Sequence, residues 1–185
     1  MIDEILLEAE ENMDNAINVA RDNLASIRTG QASTALFANI AVEYYGAPTP
    51  LQQLASISIP EARTVVIQPY DVSAKKDIEK ALRTSDLGVN PTDDGQVIRI
   101  NMPQMTEERR RDYVKLAKQR AEESRVTVRN MRRKAKDAID AAVKSGDVGE
   151  DEGSRAEKEL DALTKGHVDK IDAMLARKES ELLEV

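Results

Sequence analysis

Apolar residues recur at helical spacing through residues 1–28. Leu6, Ala9, Met13, Ala16, Ala20 and Ile27 fall on three-, four- and seven-residue steps, and Ile17 and Leu24 widen the stripe. This is the pattern of an amphipathic helix with a broad apolar face. Asp3, Glu4, Glu8, Glu10 and Glu11 load its first turns with acid, which suits the positive end of the helix dipole. Gly30 supplies a stop.

The texture changes between residues 31 and 104. Ile40, Val42 and Tyr44 alternate with other residues, as in a half-buried strand. Residues 45–50, Tyr-Gly-Ala-Pro-Thr-Pro, read as a turn or loop. Residues 56–59 and 64–67 are short β-branched runs. Residues 73–87 carry helical spacing through Ile78 and Leu82 and end at Gly88. Residues 90–95, Asn-Pro-Thr-Asp-Asp-Gly, are turn chemistry, and Val97, Ile98 and Ile100 make a last strand before Pro103.

Helix then resumes for a long stretch. Thr106 can cap it, with Glu107 and Glu108 in the first turn. Val114, Ala121, Val128, Ala135 and Ala142 recur every seven residues, with Ala117, Ser124, Met131 and Ala138 between them. The stretch ends near Gly146 and would be ~57 Å long at a rise of ~1.5 Å per residue. Ser154 and Glu157 form a capping box for a further helix, whose stripe is Leu160, Leu163, His167, Ile171, Met174 and Leu182.

The fold class that follows is α+β. Residues 1–29 and 106–185 form a long antiparallel three-helix bundle, because three helices with complementary stripes can bury what one cannot. Residues 30–105 form a smaller inserted α/β domain that enters and leaves at one end of the bundle. Thr29, Gly30, Gln31, Pro103, Gln104 and Met105 are therefore the candidate hinge. Two short linkers at one end fit a hinge; they also fit an insert packed rigidly on the bundle.

Composition sharpens this. One Phe and no Trp among 185 residues make the core aliphatic. The absence of Cys excludes disulfides, thiolate metal sites and a Cys nucleophile. No apolar run approaches the roughly 18 residues of a membrane span. The start, Met1-Ile2-Asp3-Glu4, is acidic and lacks the pattern of a signal peptide. A cytoplasmic protein that meets no membrane is expected.

Charge is unevenly spread. The net value is −7, yet residues 105–136 hold 12 bases and 5 acids, whereas residues 137–185 hold 14 acids and 7 bases. Arg111, Lys118, Arg125, Arg129, Arg132 and Lys136 fall in a stripe about 60° wide on the helix, with Lys115 and Arg133 flanking it. Arg dominates its centre, and a guanidinium fork grips phosphate bidentately. A straight basic stripe fits a nucleic-acid backbone. It fits equally a solvated face paired with acids on the two neighbouring helices, both of which are acid-rich.

The chain has little that points to catalysis. His167 is the sole histidine and sits on an apolar stripe, so a core or boundary role is expected. Residues 150–152, Glu-Asp-Glu, lack the alternating ligands and glycine of a calcium loop and read as a solvated inter-helix turn. No phosphate-binding loop or dinucleotide fingerprint is present. Neither an enzyme nor a bound cofactor or metal is expected.

Five strings together resemble the bacterial ribosome recycling factor family: Ile27-Arg28-Thr29-Gly30, Val42-Glu43-Tyr44-Tyr45-Gly46-Ala47-Pro48-Thr49-Pro50-Leu51, Ser85-Asp86-Leu87-Gly88-Val89-Asn90-Pro91, Thr106-Glu107-Glu108-Arg109-Arg110 and Val128-Arg129-Asn130-Met131-Arg132-Arg133. The resemblance runs in order from residue 1 to 185. It implies a three-helix bundle with a hinged α/β domain. It also implies a function: binding the ribosome after peptide release and, with elongation factor G and GTP, splitting it into subunits.

By the same resemblance, elongation factor G hydrolyses the GTP and pushes the smaller domain. The bundle lies on large-subunit rRNA near the inter-subunit bridges. Arg129, Arg132, Arg133 and Arg28 are the implied rRNA contacts. The basic stripe adds Arg125, Lys118 and Lys136. A monomer is expected. Two departures stand out: Gln31 replaces the family's usual Arg, and the second junction carries the single proline Pro103. The competing reading is a coiled-coil-like adaptor whose basic stripe meets an acidic protein.

Overall fold

A computed structural model of the chain describes residues 1–184. In chain order it contains α1 (Ile2–Ala25), a 3-10 turn (Thr34–Phe37), β1 (Ala41–Tyr44), β2 (Ala47–Pro50), α2 (Leu51–Leu54), β3 (Ala55–Glu61) and β4 (Thr64–Pro69). A second 3-10 turn (Val72–Ala74), α3 (Lys75–Thr84), β5 (Thr92–Asp94), β6 (Val97–Asn101), α4 (Glu107–Lys144) and α5 (Glu150–Leu183) follow. The fold class is α+β. Two compact units are distinguishable: Met1–Leu24 with Lys115–Glu179, and Ala25–Val114 with the chain from Ser180 onward.

The first unit is an antiparallel three-helix bundle. Met13, Ala20, Ala121, Val128, Leu160 and Ile171 are among the buried residues of its one continuous, aliphatic core. Pairing across its surface fixes direction. Arg125 meets Asp172, Arg132 meets Asp161 and Lys136 meets Glu157, so residue numbers rise on α4 as they fall on α5. His167 is buried, with Nδ1 2.7 Å from the Leu163 carbonyl and Nε2 2.7 Å from Asp14 Oδ1. It ties α5 to α1, the structural role expected of it.

Two details of the helices differ from the sequence reading. The strict heptad places Ala138 in the core, but Ala138 is exposed and Ile139 is buried. A straight helix of 3.6 residues per turn drifts by ~20° per heptad, so the buried stripe gains a residue after several repeats. The second detail is the start of α5. Glu150, Asp151 and Glu152 form its first turn rather than an inter-helix loop, and Ser154 lies inside the helix rather than capping it. Three acids at the positive end of a helix stabilise that start.

Gly153 explains why the helix continues there. A Cβ built on it would lie 2.5 Å from Val143 Cγ2 on α4, so glycine permits the close approach. Val143 is β-branched and yields little. Gly153→Val should lower the unfolding free energy by ~1–3 kcal/mol through overpacking. Adding Val143→Ala should recover most of that loss; chemical denaturation of both variants checks this.

The second unit is built on a four-stranded antiparallel sheet of order β3-β4-β6-β5. Val65 and Ile67 of β4 and Ile98 and Ile100 of β6 alternate onto one face and share a core with Ile78 and Leu82 of α3 and with the fully buried Phe37. Thr92–Asp94, read as a turn from sequence, is the short edge strand β5.

A separate hairpin pairs β1 with β2, matching Val42 to Thr49 and Tyr44 to Ala47. Residues 47–50 are thus a strand, although the run that holds Pro48 and Pro50 reads as a turn or loop in the sequence. Standing two residues apart, both prolines direct their missing donors away from β1, so the ladder loses no bond.

Candidate nucleic-acid interface and linkers

The basic residues of α4 separate into two rows. Arg125, Arg132 and Lys136 form an inner row at the seam with α5. Arg125 Nε donates to Asp172 Oδ1 at 2.7 Å and its Nη1 to Glu122 Oε2 at 3.0 Å. Arg132 places Nε 2.7 Å and Nη2 2.6 Å from Asp161 Oδ1. Lys136 donates to Asp140 Oδ2 at 2.8 Å and lies 3.9 Å from Glu157. These pairs are the intramolecular arrangement that the charge pattern left open.

Electrostatics follow from the contacts. Burial pushes the Arg125 guanidinium down, but hydrogen bonds to Asp172 and Glu122 outweigh it and hold the group above its ordinary value. Hydrogen bonding to Asp140, then the charges of Asp140 and Glu157, raise Lys136. Arg125 and Lys136 are therefore held in their charged forms at neutral pH.

The outer row is Lys118, Arg129 and Arg133, all exposed. The Arg129 side chain is 54% exposed and reaches only Glu122, at 3.4 Å. Lys118 and Arg133 make no ion pair among the described residues. With Arg132 31% exposed beside them, these side chains offer donors along a rigid rod. Exposed ion pairs are worth about 0–1 kcal/mol. A polyanion with bidentate phosphate oxygens can therefore compete for Arg129 and Arg132.

The linkers occupy the second unit. Ala32 donates its N–H to the Ala62 carbonyl at 2.8 Å, and Met102 donates to the Arg63 carbonyl at 2.7 Å. Both linkers are thus anchored on the one turn between β3 and β4. Thr29–Gln31 and Pro103–Met105 lie just outside those anchors. Gly30, Gln31, Pro103 and Gln104 are exposed, Thr29 is half-buried and Met105 is buried. Gly30, Arg63, Gln104, Met105, Arg110 and Glu184 line a cavity of about 180 Å³ beside them.

The Ribosome recycling factor family model matches residues 20–183. The chain belongs to the ribosome recycling factor family. It is 66% identical to the ribosome-recycling factor of Beutenbergia cavernae and 61% identical to that of Paenarthrobacter aurescens, each time over 100% of both chains. It is also similar to a solution structure of ribosome recycling factor, with a TM-score of 0.76 and 43% identity over 100% of this chain and 98% of that one. A further similar structure is titled as the Thermus thermophilus ribosome recycling factor and the Escherichia coli elongation factor G bound to the E. coli post-termination complex. There the TM-score is 0.67 and the identity 43% over 100% of both chains.

In this member of the ribosome recycling factor family, Arg28 stands apart from the exposed basic row. It is 2% exposed, and its Nη2 donates to the Pro103 carbonyl, bracing one linker against the other. Nε and Nη1 find no partner among the described residues. Burial pushes its guanidinium below the ordinary value; Tyr113 opposes that and Arg109 adds to it. The expected phosphate contact is therefore, in this structure, a buried brace. Nothing in Ile27-Arg28-Thr29-Gly30 distinguishes the two roles, because burial depends on Pro103, 75 residues away.

A consequence for stability follows. Arg28→Met keeps the aliphatic volume and removes two orphaned donors, so the melt should stay within about 1 kcal/mol of the parent. Arg28→Ala leaves a void and should cost ~2 kcal/mol or more. Parallel denaturation curves read the difference.

Sequence reading missed the packing of Arg109. Its Nη1 lies 3.0 Å from where a Gly88 Cβ would stand, and Gly88 has φ +65°. The glycine inside Ser85-Asp86-Leu87-Gly88 was the available signal. A left-handed position that must also stay free of a side chain accepts glycine.

Proposed function

We propose that this chain recycles ribosomes. It binds the post-termination ribosome and, with elongation factor G and GTP, separates the subunits for a new round of translation. Membership of the ribosome recycling factor family carries this reading. The similarity to the curated relatives extends over 100% of both chains.

The bundle supplies the binding energy and the insert supplies the stroke. Lys118, Arg129, Arg132 and Arg133 meet rRNA phosphates along α4, with Arg125 and Lys136 behind them setting the field. Each phosphate neutralised releases counterions. Elongation factor G then pushes the insert about Thr29–Gln31 and Pro103–Met105, and the rod bears on the bridges between subunits. The chain makes and breaks no bond; the partner's GTP hydrolysis drives the cycle. It acts as a monomer in the cytoplasm, where its ribosomes are.

The test is ribosome affinity as a function of salt, measured without elongation factor G. A log–log slope of about −3 or steeper is expected from four or more phosphate contacts. A flat profile would remove rRNA phosphates from the account. Capture of an acidic protein that survives ribonuclease would favour the adaptor reading.

A further inference from the structure

The two linkers are joined into a closed ring of contacts, and one side chain completes it. The Ala32 N–H fixes the far end of the first linker by donating to the Ala62 carbonyl at 2.8 Å. The Met102 N–H fixes the start of the second by donating to the Arg63 carbonyl at 2.7 Å. Ala62 and Arg63 are neighbours in the chain, and Pro103 follows Met102. The Pro103 carbonyl accepts from Arg28 Nη2. From Arg28 the main chain leads back through Thr29, Gly30 and Gln31 to Ala32. Two closures of this ring are backbone hydrogen bonds, and the third is the Arg28 side chain.

The ring has a mechanical consequence. Thr29, Gly30 and Gln31 make no backbone–backbone hydrogen bond among the described residues, so they are the part of it that is free to turn. Rotation there changes the separation of Arg28 from everything anchored beyond Ala32, Pro103 included. Proline fixes φ, which makes Pro103 a stiff acceptor. While Arg28 holds that carbonyl, the first linker cannot turn without carrying the second with it. Without the contact, the first linker turns by itself.

Stability does not account for a guanidinium at this position. Arg28 is buried, and its Nε and Nη1 find no partner among the described residues. Unpaired buried donors are costly, and so is a buried charge that faces a carbonyl rather than a carboxylate. Arg109 adds a like charge nearby, and its own Nη1 lies against Gly88. A methionine would fill the same space without these costs. What it could not do is donate to Pro103.

We propose that Arg28 is a positioning residue: by closing the ring it makes the two linkers bend as one when the insert is pushed. This rests on the function proposed above. Arg28 then acts through the linkers, separately from the exposed arginines that meet rRNA.

Arg28→Met tests it, because the fold is kept and the donor is lost. In the free chain, amide hydrogen exchange at Ala32 and Met102 should quicken by about tenfold or more, with β4 and β6 unchanged. Ribosome affinity without elongation factor G should stay within about twofold, while splitting slows by about fivefold or more. Arg28→Lys keeps a donor for Pro103 and should recover most of both effects. Unchanged exchange at Ala32 and Met102 overturns the proposal, because the ring is then not held by Arg28. Faster exchange with normal splitting overturns it as well, by separating the ring from the stroke. Weaker ribosome binding with a shallower salt dependence overturns it by making Arg28 a phosphate contact. If the parent chain fails to split ribosomes, the proposed function fails and the positioning role with it, whereas the exchange rates still report whether Arg28 closes the ring.

Discussion

Replacing Arg129, Arg132 and Arg133 together with Gln should weaken ribosome binding on the order of a hundredfold and make the salt dependence shallower by about 2–3 in log–log slope. Arg129 is half exposed and loosely paired, Arg133 makes no ion pair among the described residues, and Arg132 can trade Asp161 for a phosphate. The same variant should melt close to the parent, because exposed ion pairs contribute about 0–1 kcal/mol each. Asp161→Asn is the counterpart. It frees Arg132 and should leave ribosome affinity equal or higher. A triple variant that binds normally but melts much earlier would mean that these charges serve the bundle alone. Titration of ribosomes at several salt concentrations, alongside thermal melts, separates the two cases.

Gly30→Pro should leave ribosome affinity within about twofold but slow splitting at least about tenfold, as expected of a hinge position remote from binding. Proline fixes φ near −65° and also restricts Thr29 before it. The first linker would then lose its freedom just outside the anchor at Ala32. Gly30→Ala is the matched comparison. A Cβ there meets nothing nearer than the Glu184 carbonyl oxygen at 4.0 Å, so this variant should split ribosomes almost as the parent does. Melting curves show whether each variant keeps its fold. A folded Gly30→Pro that splits normally would take the first linker out of the stroke.

What the sequence made legible follows a physical rule. Long elements repeat their signal many times, so the extent of α4 could be read from periodicity and its cap at Thr106 from residue type, whereas α1 ends at Ala25, short of the expected residue 28. Thr106 Oγ1 does accept the Arg109 N–H, at 3.2 Å. Short elements depend on their neighbours. β2 was hidden by two prolines that are harmless only in its particular pairing, and β5 by turn residues that an adjacent strand recruits. The start of α5 was hidden by the capping-box pattern at Ser154 and Glu157, which lies inside the helix. Ala138 and Ile139 exchanged places because a heptad template does not carry helical drift.

The candidate interface was legible to the same degree. Spacing placed the basic residues on one helix face, because a helix converts sequence separation into angle. Which of them are engaged by carboxylates depends on α5, and spacing within α4 holds no information about that. Hence Arg125 and Arg132 are paired across the seam, Arg129 reaches only Glu122, and the local motif around Arg28 gave no warning that Pro103 would enclose it.

The central claim is that this chain splits post-termination ribosomes through a basic rod and a movable insert. Light scattering of post-termination ribosomes mixed with the chain, elongation factor G and GTP tests it most directly. The account predicts a fall in scattering that requires every component and is slowed by loss of Arg132. Unchanged scattering with active ribosomes and a matched elongation factor G would contradict it, leaving a recycling-factor fold without the recycling activity.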